Sequence, residues 1–197
     1  TVNIPSINQC LALMDRYAML ANIREHSFIV ARVAETIVNG LQLPEEGTVA
    51  PPDLDLVLAG ALLHDIAKTK CLDGSCQHAE EGMLICVEHD YAEVGTIVRE
   101  HVILSSFNVD DYRRGLFPAR EIVYYADKRV RHNEIVPLSH RLDYIIDKYS
   151  RGSDYIKQRI RDNFDRCVEL ENYLFSYLPF DPADVADRVD PAPFRPA

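Results

Sequence analysis

The sequence predicts an all-α fold of seven or eight helices. Apolar residues recur three and four apart along most of the chain, and Ser, Asp, Asn, Gly and Pro fall where those periodic stretches should begin or end. No stretch shows the apolar and polar alternation of a half-buried strand. At 197 residues the chain has the length of one domain able to bury a core without staples.

Ser6 is the cap of a first helix running to about residue 19, and Asn22 that of a second, with Ile23, Val30, Val33, Ile37 and Leu41 on one face. Pro44 and the pair Pro51-Pro52 bracket a loop. Asp53 then caps a third helix over 54–67, and Asp73-Gly74-Ser75 forms a turn. Two helices follow, at roughly 76–88 and 90–104. The polar stretch 105–118 contains Gly115 and is expected to be a loop able to cover a site. Helices resume over 118–131, 137–149 and 153–178. Beyond Leu178, Pro179, Pro182, Pro191, Pro193 and Pro196 predict an extended tail with a short turn after Asp181. The expected organisation is one helical domain over 1–178 with its core at 22–150, followed by the tail at 179–197.

A formal net charge of -10 opposes binding of long nucleic acid, which needs rows of Lys and Arg against phosphates. A small phosphorylated ligand needs only local positive charge, so it stays within reach. No apolar run approaches the roughly 18 residues of a membrane span, which predicts a soluble, cytoplasmic protein with no membrane partner. Homo-oligomerisation is left open. The five cysteines, Cys10, Cys71, Cys76, Cys86 and Cys167, are odd in number and scattered, so reduced thiols are expected. Cys71 and Cys76 form the one pair close enough for redox pairing or metal capture.

The polar residues inside the apolar stripes carry the functional signal. His26 lies three after Ile23 and four before Val30, and His101 lies four after Ile97 and three before Leu104. Asp127 follows Val123 by four, and His64-Asp65 closes the most apolar segment of the chain. Burying one such group without a partner costs on the order of 1–3 kcal/mol, and an unpaired carboxylate costs more. Several together would remove most of a typical domain stability of about 5–15 kcal/mol. These residues must therefore satisfy one another or bind a cation, and imidazole with carboxylate suits Zn, Fe, Mn, Ni or Co. His89, His132 and His140 lack such company and are assigned to the surface or to supporting positions.

In order, His26, His64-Asp65 and Asp127 within YYADKRV resemble the H…HD…D signature of the HD-domain metal-dependent phosphohydrolases. LLHDIAK is similar to the HDIGK form, with Ala67 in place of glycine. The resemblance covers about residues 22–150 and implies an all-α bundle enclosing the metal site. QHAEEGMLI, with His78 and Gly82, and IVREHVIL, with His101, resemble the added histidine positions of the family's dinuclear branch. The resemblance thus implies one ion on His26, His64, Asp65 and Asp127, and a second on His78 and His101, with Asp65 bridging.

Lys68, four after His64 and three after Asp65, shares their helical face and is expected to reach a phosphate of the substrate. Lys128 and Arg131 are further candidates for substrate contact. Asp65 and Lys68 are the expected catalytic pair, acting on metal-activated water and on phosphoryl charge. A di-iron oxygenase on the same ligand set and a non-catalytic nucleotide sensor are the alternatives. The absence of a GYP tripeptide weakens a cyclic di-GMP substrate.

Overall fold

In the computed structural model, which describes residues 2–43 and 49–197, Ser6 caps α1 (Ile7–Arg16) through a reciprocal capping box with Gln9. The second helix, α2 (Ala21–Gly40), starts before the expected Asn22 cap. Leu20 stands at the cap position, and its N–H donates to Thr69 Oγ1 at 3.1 Å instead of to a cap side chain. Pro44, at one end of the expected loop, lies outside the described residues.

Asp53 caps α3 (Leu54–Leu63) by accepting the Asp55 and Leu56 N–H groups at 2.9 and 3.3 Å. After a run of turns come α4 (His78–Glu88) and α5 (Ala92–Glu100). Both α3 and α5 end a turn earlier than the periodicity predicts, and the reason is the same. The ring of His64 donates from Nδ1 to Ala61 O at 2.6 Å, and that of His101 donates from Nδ1 to Val98 O at 2.6 Å. In a continuing helix those carbonyls would accept from residues 65 and 102. The side chain competes for the backbone acceptor, and the helix stops there.

The expected loop at 105–118 contains a short helix, α6 (Val109–Arg113), capped by Asn108. It does not act as a free cover. Tyr112 is fully buried, donates to Glu121 Oε1 at 3.1 Å and stacks on Phe117, which pins the segment against the body of the protein. Next come α7 (Ala119–Lys128) and a two-residue hairpin of β1 (Val130–Arg131) with β2 (Glu134–Ile135), pairing Val130 with Ile135 and Arg131 with Glu134. No strand was expected, since two residues cannot display a period of two. The chain continues through α8 (Leu138–Tyr149), α9 (Asp154–Phe175) and, after a 3-10 turn at Pro182–Asp184, α10 (Val185–Arg188).

Ten α-helices thus stand among the described residues, the two beyond the expected eight being the five-residue α6 and the four-residue α10. The turn expected after Asp181 is present, and the tail is docked: Phe180 and Phe194 are buried, with Arg32 3.9 Å over the Phe194 ring.

Residues 57–63 of α3 are all buried, as a helix apolar on every side requires. It packs against α1, α2, α5 and α7 and forms the centre of the bundle. Two glycines set the helix spacing. A Cβ on Gly60 would fall 2.6 Å from Ile97 Cγ2, and one on Gly82 would fall 2.7 Å from Val98 Cγ1. Gly82 therefore admits α5 against α4: it lies one turn from His78, and the Val98 it meets lies three residues before His101.

The turns after α3 carry one correction to the cysteine chemistry. Cys71 and Cys76 form a disulfide, whereas Cys10, Cys86 and Cys167 are free and buried. The Asp73-Gly74-Ser75 turn brings the two thiols together: Gly74 has φ 78, which a side chain would strain, and Asp73 Oδ1 accepts the Ser75 N–H at 2.9 Å.

Candidate metal centre

Each side chain of the polar cluster stands at or near a helix end or faces the bundle's interior. His26 comes from α2, His64 and Asp65 follow α3, His78 opens α4, His101 follows α5, and Asp127 sits in the last turn of α7. The fold brings all six together. Nε2 of His26 lies 3.0 Å from Asp127 Oδ1, and Nε2 of His64 lies 3.5 Å from that same oxygen. Asp65 spans two sets of imidazoles. Its Oδ2 lies 3.4 Å from His64 Nε2 and 4.0 Å from His26 Nε2, while its Oδ1 lies 3.3 Å from His78 Nε2 and 3.6 Å from His101 Nε2.

Three of the imidazoles donate their Nδ1 protons to backbone carbonyls, which leaves their Nε2 atoms for a cation. His26 donates from Nδ1 to His132 O at 2.8 Å, as His64 and His101 do to Ala61 and Val98. A neutral imidazole with its proton on Nδ1 has only a lone pair at Nε2. In the neutral state those lone pairs converge on carboxylate oxygens, acceptor facing acceptor, while His78 Nε2 lies 3.3 Å from His101 Nε2. His64 Nε2 and Asp65 Oδ1 are buried with no hydrogen-bond partner among the described residues. Tying Nδ1 to a carbonyl while Nε2 points inward is how metal-binding histidines are oriented. Two three-residue sets, His26 with His64 and Asp127, and His64 with Asp65 and His101, have ligand atoms within 4.8 Å of one another. The donor set therefore fits a divalent ion.

Without an ion the charges balance through one imidazole and the nearby lysines. Burial works against a charge on His64, but the Asp65 and Asp127 carboxylates outweigh it and raise its pKa to about 9. Burial dominates for the others: it lowers His78 to about 4 and depresses His26 and His101. Burial alone would raise both carboxyls, yet His64 and Lys68 hold Asp65, and Lys128 and His26 hold Asp127, well below the ordinary range.

The expected substrate cations divide. Lys68 is not on a helix, since α3 ends before it, yet its Nζ reaches Asp65 Oδ2 at 2.9 Å. Burial opposes its charge, and Asp65 more than restores it, so its pKa is raised. Lys128 is buried and donates to His101 O at 2.6 Å and Asp127 Oδ2 at 3.1 Å. It steadies two cluster residues instead of offering its ammonium outward. Arg131 is not drawn into the cluster: it pairs with Glu134 at 3.0 Å across the hairpin. Of the remaining histidines, His89 bonds the Tyr17 hydroxyl at 3.0 Å, His132 supplies the carbonyl for His26, and His140 is exposed.

Arg141 was missed. It is buried on α8 with Nη2 3.9 Å from Asp127 Oδ1. Its signal was present, three after Leu138 and four before Ile145, in the same kind of apolar stripe that exposed the histidines.

An all-helical bundle enclosing a buried cluster of histidine and aspartate, fit to hold a divalent ion, defines a class of helical metalloproteins. The chain matches the HD domain over residues 23–151, well over half its length, and it belongs to that family of metal-dependent hydrolases. No curated protein and no solved structure matches the chain.

Proposed function

We propose that this protein is a metal-dependent phosphohydrolase that releases phosphate from a small phosphate ester or nucleotide-type substrate. The observation that carries this reading is the pair of buried atoms without a hydrogen-bond partner among the described residues, His64 Nε2 and Asp65 Oδ1, with the Lys68 ammonium 2.9 Å from the other oxygen of Asp65. The unpartnered atoms call for a cation, and the adjacent, partly exposed lysine can offer its remaining donors to an anion.

In this reading His26, His64, Asp65 and Asp127 would hold one divalent transition ion, Fe, Mn, Ni, Co or Zn, and His78, His101 and Asp65 a second. Bound ions supply acidified water and offset charge on phosphoryl oxygens. The side chains supply the rest. Asp65, kept ionised by His64 and Lys68, fixes the spacing of the two half-sites. Lys68 donates to phosphoryl oxygens on the open side. Lys128 holds Asp127 and the His101 backbone in register. Burial of His64, Asp65 and His101 excludes bulk water from the inner wall, which strengthens each of these interactions.

The partner is a small phosphorylated molecule and not long nucleic acid. The setting proposed is cytoplasmic. For the membrane question the structure supplies one fact, that no helix among the described residues is long and apolar enough to cross.

The test is to purify the protein with its native metal, determine the metal content and screen a phosphate-ester panel for released phosphate. Release that is lost on chelation and in Asp65→Ala supports the proposal. Oxygen consumption by an iron-loaded form without phosphate release would favour the oxygenase, and nucleotide binding without turnover would favour the sensor.

A further inference from the structure

Three basic side chains are buried around Asp127, and two are held by hydrogen bonds from each of their nitrogens. Lys128 bonds His101 O and Asp127 Oδ2. Arg129 donates from Nε to Val136 O at 2.8 Å, from Nη1 to the Tyr125 hydroxyl at 2.6 Å and from Nη2 to Pro182 O at 2.8 Å. The fold thus gives every nitrogen of this buried guanidinium a partner where the role is structural.

Arg141 differs. It is 7% exposed, and its Nε has no partner among the described residues. Its nearest anion is Asp127 Oδ1, 3.9 Å from Nη2, beyond hydrogen-bond reach. The guanidinium lies 5.4 Å from the Tyr144 ring centroid, which holds it without engaging its donors. Leaving a buried cationic donor open is costly, so the arrangement points to a ligand that completes it.

The position says which ligand. Asp127 Oδ1, beside Arg141, is also the oxygen 3.0 Å from His26 Nε2 and 3.5 Å from His64 Nε2. Lys68 stands at Asp65 Oδ2, the oxygen that also faces those two imidazoles. Two cations therefore flank one cluster from separate carboxylates. A planar carboxylate ligand presents its oxygens in one plane, whereas a tetrahedral phosphoryl group presents them in several directions and can serve both.

Resting on the phosphohydrolase reading, we propose that Arg141 is a substrate residue: its guanidinium binds non-bridging oxygens of the phosphoryl group opposite Lys68. An arginine suits this position better than a lysine because its rigid fork can grip two oxygens at once.

The experiment uses the full chain loaded with metal, with inorganic phosphate as probe in calorimetric titration and with metal content and melting measured in parallel. Arg141→Gln and Arg141→Lys should retain the metal and weaken phosphate binding by ~10- to 100-fold, the loss expected for a charge-assisted bidentate contact. In turnover, the same variants should raise KM for the ester. Unchanged phosphate affinity in a folded, metal-loaded variant would overturn the proposal. So would loss of metal in step with loss of phosphate binding, because Arg141 would then act only by positioning Asp127. If Arg141→Gln fails to fold, Arg141→Lys, which keeps the buried charge, decides. A metal-loaded wild type that binds no phosphate would sink the phosphohydrolase reading itself, an outcome distinct from failure of the arginine alone.

Discussion

Lys68 sets its ammonium 2.9 Å from Asp65 Oδ2, on the side of the carboxylate that faces His26 and His64, while Oδ1 turns to His78 and His101. The two residues should therefore fail in different ways. Asp65→Ala removes the group common to both half-sites and should abolish turnover together with metal retention. Its loss of metal affinity should exceed the ~10- to 100-fold typical of changes to outer supporting groups. Lys68→Ala should keep the metal and lose on the order of 10- to 100-fold in kcat/KM through weaker contact with phosphate. Elemental analysis beside kinetics separates the two, and equal metal loss in both variants would contradict the assigned roles.

Gly82→Val tests whether helix spacing controls the half-site of His78 and His101. Its Cβ would meet Val98 Cγ1 at 2.7 Å, so α4 and α5 must part. A stability loss of about 1–3 kcal/mol is expected for such overpacking. Metal bound by the pair should fall with it, because one histidine rides on each helix. An unchanged melting point would mean that the two helices have slack at this contact.

The histidines predict a stability optimum without metal. His78 is lowered to about 4 from 6.5. Between those values the unfolded chain binds the extra proton, so stability falls as pH drops through that window. His64 is raised to about 9, so its contribution is complete below pH 6.5 and is lost as pH climbs towards 9. Metal affinity should move the other way on the alkaline limb, since His64 must release its proton to become a ligand. Chemical denaturation of the apo protein and metal titration, compared at about pH 6.5 and about pH 8.5, would show the opposed trends; parallel trends across that interval would exclude His64 as the proton carrier.

Chelation should lower the melting temperature by several degrees. Linkage supplies roughly 2.7 kcal/mol per site at a free metal concentration of about 100 times Kd. Adding the native metal back should restore the midpoint and the activity together. Equal melting of apo and holo forms would mean that the polar cluster satisfies itself.

Thiol titration of the unfolded, unreduced protein should find the three free cysteines, Cys10, Cys86 and Cys167, and reduction should expose Cys71 and Cys76 as well. Five reactive thiols before reduction would restore the reduced state expected from the sequence.

The helices and five of the six cluster residues were legible because burial leaves a trace: a histidine or aspartate inside an apolar stripe is conspicuous at His26, His101 and Asp127, and His64-Asp65 closes the most apolar segment, whereas the part-exposed His78 was singled out by the family resemblance alone. Arg141 left the same trace and was passed over among the exposed charges of α8. What the sequence could not convey depends on contacts distant along the chain. Whether Lys128 turns towards the His101 carbonyl or towards a ligand is decided by α5 packing against α7, and the pairing of Arg131 with Glu134 by a hairpin too short to show a period. The closing of Cys71 on Cys76 depends on the φ of Gly74, which no spacing rule encodes.

At Ala61 and Val98 one carbonyl serves two purposes, ending a helix and aiming an imidazole. The consequence bears on transplanting such a centre into another scaffold. Copying the six side chains onto uninterrupted helices would leave His64 and His101 without the acceptors that turn Nε2 inward, because those carbonyls would already bond the next turn. Conversely, a variant that extended α3 or α5 by one turn would disarm the cluster without altering any of its side chains. The portable unit is the histidine together with the helix terminus that it creates.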